Sequence, residues 1–158
     1  MRIRRVVTGF CGGLIAADRG DGTTLGEART ALADATTRGF RGDARELDAA
    51  AALQLGDMAA ARRLAQETAT LRREGLDYRG VSRALALEAE AARRAGDNAA
   101  AADLLLRAGR GAAARREWAE ARGWLNESMA LARLAGRPEI GSEARDVLRA
   151  MAERERDA

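Results

Sequence analysis

Histidine and lysine are absent from this chain, and cysteine and proline occur once each, at Cys11 and Pro138. Each gap excludes a class of chemistry. A lone cysteine rules out a disulfide within the chain and a cysteine-based zinc site; without histidine, the usual transition-metal sets are gone as well. The same gaps remove the Ser-His-Asp and Cys-His nucleophile systems, and no strand-to-helix nucleophile elbow is present. Carboxylate pairs such as Glu88 and Glu90 fall on different helix faces, which leaves general acid–base chemistry without a site. The segments Gly20-Asp-Gly-Thr-Thr24 and Cys11-Gly-Gly13 lack the lysine and spacing of a phosphate loop. No catalytic residue, cofactor or metal is therefore expected, and the protein reads as a non-enzyme. Aromatic side chains make up only 3% of the residues, and alternating β-branched runs are missing, so nothing resembles a strand.

What is present is helix-forming. Alanine supplies roughly a quarter of the residues, and Ala, Leu, Arg and Glu are the strongest helix formers. An all-α fold follows, in a chain of 158 residues, which suits one domain with a worthwhile core.

All 27 basic residues are arginine, against 24 acids, for a net charge of +3. The surplus equals Arg2, Arg4 and Arg5, since no acid precedes Asp18. Beyond that point the charges balance. A non-specific nucleic-acid binder needs uncompensated cations along one face to release counterions, so this distribution argues against nucleic acid as a partner. Interleaved Arg and Glu instead describe solvated helix surfaces.

The first seventeen residues have a layout of their own. Arg2, Arg4 and Arg5 precede a weakly apolar stretch from Val6 to Ala17, with Ile15 and Ala17 placed before a potential cut. That order predicts a secretory signal peptide over 1–17, and hence a periplasmic, envelope-associated or secreted protein. The other reading is an N-terminal tail on a cytoplasmic protein. Twelve apolar residues are too few to span a bilayer, which takes about twenty, so membrane association would run through the N-terminus alone. Residues 18–23 read as a flexible linker, and 24–158 as the helical domain.

The organising signal in that domain is a beat of twenty residues. Gly56-Asp57, Leu76-Asp77, Gly96-Asp97, Arg116-Glu117 and Gly136-Arg137 mark it, and Ala61, Val81, Ala101, Ala121 and Gly141 follow five positions after each glycine or its substitute. A fixed period in the range of about 20–50 residues is the mark of stacked repeats. Taken as helix boundaries, the beats predict helices near 24–38, 43–55, 58–74, 78–95, 98–115, 118–135 and 138–155. Glycine ends a helix in the left-handed conformation and Asp caps the next one. Pro138 fits the first turn of the last helix. Connections of two or three residues make successive helices antiparallel. Gly109-x-Gly111 falls inside a helix and predicts close helix packing.

These turns resemble the tetratricopeptide repeat family, which pairs a Gly-Asp-aromatic turn with Ala five residues later and a bulky apolar residue four beyond. The segments Gly56-Asp-Met-Ala-Ala-Ala61-Arg-Arg-Leu-Ala65, Gly96-Asp-Asn-Ala-Ala-Ala101-Ala-Asp-Leu-Leu105 and Arg116-Glu-Trp-Ala-Glu-Ala121-Arg-Gly-Trp-Leu125 carry the likeness over residues 40–150. The resemblance implies antiparallel hairpins stacked as a TPR-like α-solenoid that binds a protein or peptide, with Trp118 as the turn aromatic wedged into the core. The hairpin period is 40 rather than the family's 34, and two phases of the repeat remain open. Long-repeat hairpins of this kind also resemble the sensory arrays of multidomain transcriptional regulators, which makes a cytoplasmic regulatory protein the alternative. Tyr78, Arg79 and Arg83 on one beat, and Arg122 and Trp124 on another, are the candidate partner-binding residues. Pairing through a terminal hairpin would give a homo-oligomer.

Overall fold

In a computed structural model, residues 14–16, 19–33 and 38–156 are described. Among them every regular element is a helix, and the chain divides into two compact units, Met1–Asp77 and Tyr78–Ala158. The first unit holds α1 (Gly22–Ala33), α2 (Arg38–Gln54) and α3 (Met58–Glu74). The second holds α4 (Tyr78–Arg94), α5 (Asn98–Ala114), α6 (Trp118–Leu134) and α7 (Pro138–Arg156).

The beat is a repeated helix stop. At each one, a residue takes a positive φ: Gly56, Leu76 (57°), Gly96, Arg116 (61°) and Gly136. The amide of the following residue then bonds back to a carbonyl five residues earlier, as in Asp57 to Ala52, Asp97 to Ala92 and Arg137 to Ala132. This is the Schellman closure, which satisfies the carbonyls that a helix end leaves open. Asp57 and Asp97 then cap the next helix by accepting from the amides of Ala60 (2.9 Å) and Ala100 (3.1 Å). Stop and start occupy three residues, so the four helices from α3 to α6 are each 17 residues long.

Packing runs between neighbours in each unit: α1 on α2 and α2 on α3, then α4 on α5, α5 on α6 and α6 on α7, with α5 also touching α7. Side-chain bonds show that the neighbours are antiparallel. Ser128, late in α6, donates to the Ala102 carbonyl, early in α5, at 2.7 Å. Arg122, early in α6, pairs with Glu155, late in α7. The expected all-α class and the succession of antiparallel hairpins hold within each unit.

The two cores differ in chemistry. In the second unit Leu85, Leu104, Leu105, Leu125, Ala101, Ala108, Ala112 and Ala121 form one buried cluster. Alanine and glycine let the helix backbones close in. A Cβ added to Gly109 would lie 2.6 Å from Leu125 Cγ, so the leucine sits in a notch that only glycine leaves open. Gly111 faces Ser82 in the same way, with 2.7 Å to the Oγ. The packing explanation for this glycine pair therefore stands. Complete burial of Leu125 contributes about 1.5–3 kcal/mol. In the first unit, Ala16, Leu25, Ala28, Leu47 and Ala51 form a smaller apolar cluster. Beside it lies a buried guanidinium: Arg72 Nη2 donates to Asp43 (2.5 Å) and Glu46 (2.8 Å), and Nη1 lies 3.2 Å from Asp77.

Two expected boundaries shift. The helices expected at 24–38 and 43–55 are Gly22–Ala33 and Arg38–Gln54. Gly39 and Gly42 lie inside α2, where Gly42 faces the Arg72 side chain; a Cβ there would sit 3.1 Å from Nε. The helix α1 opens at Gly22, within the stretch expected as linker, with Asp21 accepting from the Thr24 amide (3.1 Å) and hydroxyl (2.6 Å). Those two bonds, the hydroxyl's first, hold the Asp21 carboxyl below its ordinary range. Residues 1–13, 17 and 18 of the expected signal peptide and linker, Cys11 included, lie outside the described residues. No helix among the described residues is long and apolar enough to cross a membrane.

Candidate functional site

The five candidate residues all belong to the second unit, and their side chains fall into two separate settings. Tyr78 opens α4 and is 55% exposed. Arg79 Nε donates to Glu117 Oε1 at 2.6 Å, joining the start of α4 to the residue that precedes α6. Glu117 also accepts from Arg115, whose Nη2 reaches Glu117 Oε2 (2.9 Å) and Ser82 Oγ (3.0 Å). The hydrogen bond from Arg115 holds the Glu117 carboxyl below the usual carboxylate range; burial opposes it, and the bond from Arg79 adds to the lowering. Arg83 is half-buried and engaged as well. On α6, the Arg122 guanidinium is taken up by Glu155, and Trp124, like Trp118, packs against the apolar core. Arg79 and Arg122 thus spend donors inside the molecule, tying helix ends together.

Elsewhere in the same unit, a pocket of about 490 Å³ opens between α6 and α7 at the Gly136 turn. That volume is within the usual range for ligand sites. Its apolar lining includes half-buried Met129 and buried Ala132, and exposed Arg133, Arg137, Arg145 and Ser142 line it as well. Arg137 pairs with Glu139, whose carboxyl is held low first by that hydrogen bond. Arg133 and Arg145 are exposed, and among the described residues neither has a carboxylate partner. Two guanidiniums on one hollow, beside a third that is paired with Glu139, make an anion-attracting rim, and the planar fork of Arg suits carboxylate geometry.

The twenty-residue register shows how this hollow arises. The position just after each turn is Asp57, Asp77, Asp97 and Glu117, and then Arg137. Nine residues after the turn stand Ala65, Leu85, Leu105 and Leu125, all buried, and then Arg145, exposed. Leu125 fills the Gly109 notch of the helix before it. In the last helix the matching residue is an arginine, and the residue in register with Gly109 is Met129. A plug becomes a cation at the rim of an open pocket. A terminal helix is free of neighbours only on its outer side, whereas this position addresses the preceding helix. Sequence reasoning counted Gly136-Arg137 as one more beat and did not see the change of charge inside it. Among the described residues no cluster of His, Cys, Asp and Glu is arranged to hold a metal ion. Compared with models of known protein families, with curated proteins and with solved structures, the chain matches none.

Proposed function

We propose that the chain is a non-enzymatic, TPR-like helical-hairpin protein that binds a protein or peptide partner. The observation that carries this reading is the open groove between α6 and α7, lined by apolar residues and by two arginines that have no acid partner among the described residues. Interfaces are anchored by apolar pockets ringed by polar groups, and arginine is enriched among the residues that dominate binding. The test is a photo-crosslinking amino acid placed at Ser142, in the groove, and separately at Thr70, exposed on α3. In cells the first should yield a discrete protein adduct and the second none. Equal labelling from both positions, or none from Ser142, would remove the reading.

Export through an N-terminal signal remains part of the proposal, as does its rival, a cytoplasmic protein that keeps its N-terminus. One observation favours the rival: Ala16 is buried among Leu25, Ala28, Leu47 and Ala51, and cleavage after Ala17 would strip it from that cluster. N-terminal sequencing of the mature protein decides between the two.

A further inference from the structure

We infer that the groove between α6 and α7 takes an acidic linear peptide, whose carboxylates pair with Arg133 and Arg145 while an apolar side chain settles on Met129 and Ala132. This rests on the peptide-binding reading above and specifies the chemistry of the peptide.

Charge favours an acidic peptide. At other helix junctions of the second unit, arginines are met by acids of the same chain: Arg79 and Arg115 share Glu117, Arg110 meets Glu143, and Arg122 meets Glu155. At the groove, Arg137 alone has such a partner. Arg133 and Arg145 instead line one hollow as like charges, and a carboxylate entering it gains a charge-assisted hydrogen bond from a guanidinium. A basic or neutral peptide offers no such anion.

The twenty-residue register points the same way. Arg145 stands where the repeat otherwise seats a buried apolar plug, so the hollow exists because of the same substitution that lines it with charge. Its lining stays partly apolar, which suits one hydrophobic side chain flanked by acids rather than a run of acids alone. The neighbouring helix start adds to the field, because the first turn of α7 presents the positive end of the helix dipole.

The experiment is a display selection of random twelve-residue peptides on the full chain. The best enriched peptide is then measured by fluorescence anisotropy against the wild type, Arg133→Gln, Arg145→Gln and Arg145→Leu. The expected set is rich in Asp and Glu around one large apolar residue. Each arginine substitution should weaken binding by about tenfold or more, and so should replacing the peptide's acids by amides. Raising salt should weaken it further. Arg145→Leu restores the plug, so its thermal midpoint should match or exceed the wild type while binding is lost. That combination separates a ligand contact from a structural one. Enriched peptides without acidic bias, or with affinity untouched by Arg145→Leu and Arg133→Gln, would overturn the acidic assignment and leave the peptide-binding reading in place. No enrichment of any peptide would overturn both.

Discussion

The two units reach the same secondary structure through opposite kinds of core. In the second, antiparallel helices close on alanine and glycine, and leucines fill what is left. Ser128 donates to a backbone carbonyl, Ser82 accepts from Arg115, and Glu88 is buried, but among the described residues no arginine of this unit is. In the first, one guanidinium at 8% side-chain exposure is gripped by Asp43, Glu46 and Asp77. Burial works against the charged form of Arg72, and its hydrogen bond and attraction to Glu46, followed by Asp43, more than offset that, so its pKa lies above the ordinary arginine value. An apolar interface fails gradually as volume is removed. A buried ion cluster fails abruptly, because each partner depends on the others to offset its lost hydration.

The largest effect expected from breaking this comparison is therefore in the first unit. Arg72→Ala leaves buried Glu46 and part-buried Asp43 without their cation and should cost about 3–5 kcal/mol. Arg72→Lys keeps the charge but loses the fork that serves several carboxylates at once, so its cost should be smaller. Far-UV circular dichroism follows both units in urea, while Trp118 and Trp124 report on the second alone. A circular dichroism transition that stays at the wild-type midpoint for Arg72→Ala would mean that the cluster contributes little.

The counterpart in the second unit is smaller. Gly109→Ala puts a Cβ 2.6 Å from Leu125 Cγ, against a side chain with no exposed volume into which it could retreat. Overpacking of this kind costs about 1–3 kcal/mol. Gly123, on the exposed face of α6, has nothing within 4 Å of an added Cβ, so Gly123→Ala should instead stabilise by about 1 kcal/mol through helix propensity. A tryptophan-monitored midpoint that moves the same way for both variants would break the claim that the second core is set by backbone proximity.

How far the sequence carries follows from the range of each interaction. The beat is legible because its causes are local: a left-handed residue, a capping acid three positions before the amide it holds, and a small residue five positions on. Helices α3 to α6 accordingly end within one residue of expectation. The start of α2 is not legible, because Gly42 looks like a helix breaker until Arg72, thirty residues away, is seen lying over it. The Arg72 cluster is hidden for the same reason: its acids Asp43 and Glu46 are 29 and 26 residues distant, and nothing in local composition distinguishes this arginine from the solvated ones. Arg79 and Arg122 were singled out for standing near aromatics, yet each is matched to an acid more than 30 residues away. The groove lies between these cases. Arg137 and Arg145 break the register in plain view, but an arginine at the end of a mixed-charge chain carries no local mark that says whether it faces water or a pocket.

The smallest predicted effect concerns the device that the two units share. Five turns adopt the same left-handed stop, but only Gly56, Gly96 and Gly136 do so with glycine; Leu76 and Arg116 hold positive φ with a side chain attached. A non-glycine residue in this conformation costs about 1–2 kcal/mol, and a new glycine returns part of that gain by loosening the unfolded chain. Leu76→Gly and Arg116→Gly should therefore each stabilise by about 0.5–1 kcal/mol. The reverse change, Gly96→Ala, should cost a similar amount, since an added Cβ there meets nothing within 4 Å and only the backbone objects. Leu76 belongs to the first unit and Arg116 to the second. Equal gains at both, read as shifts of the denaturation midpoint, would show that the turn acts independently of the core it closes. A gain at Arg116 alone would mean that the ion cluster, whose Asp77 follows Leu76 directly, draws part of its geometry from the strained leucine.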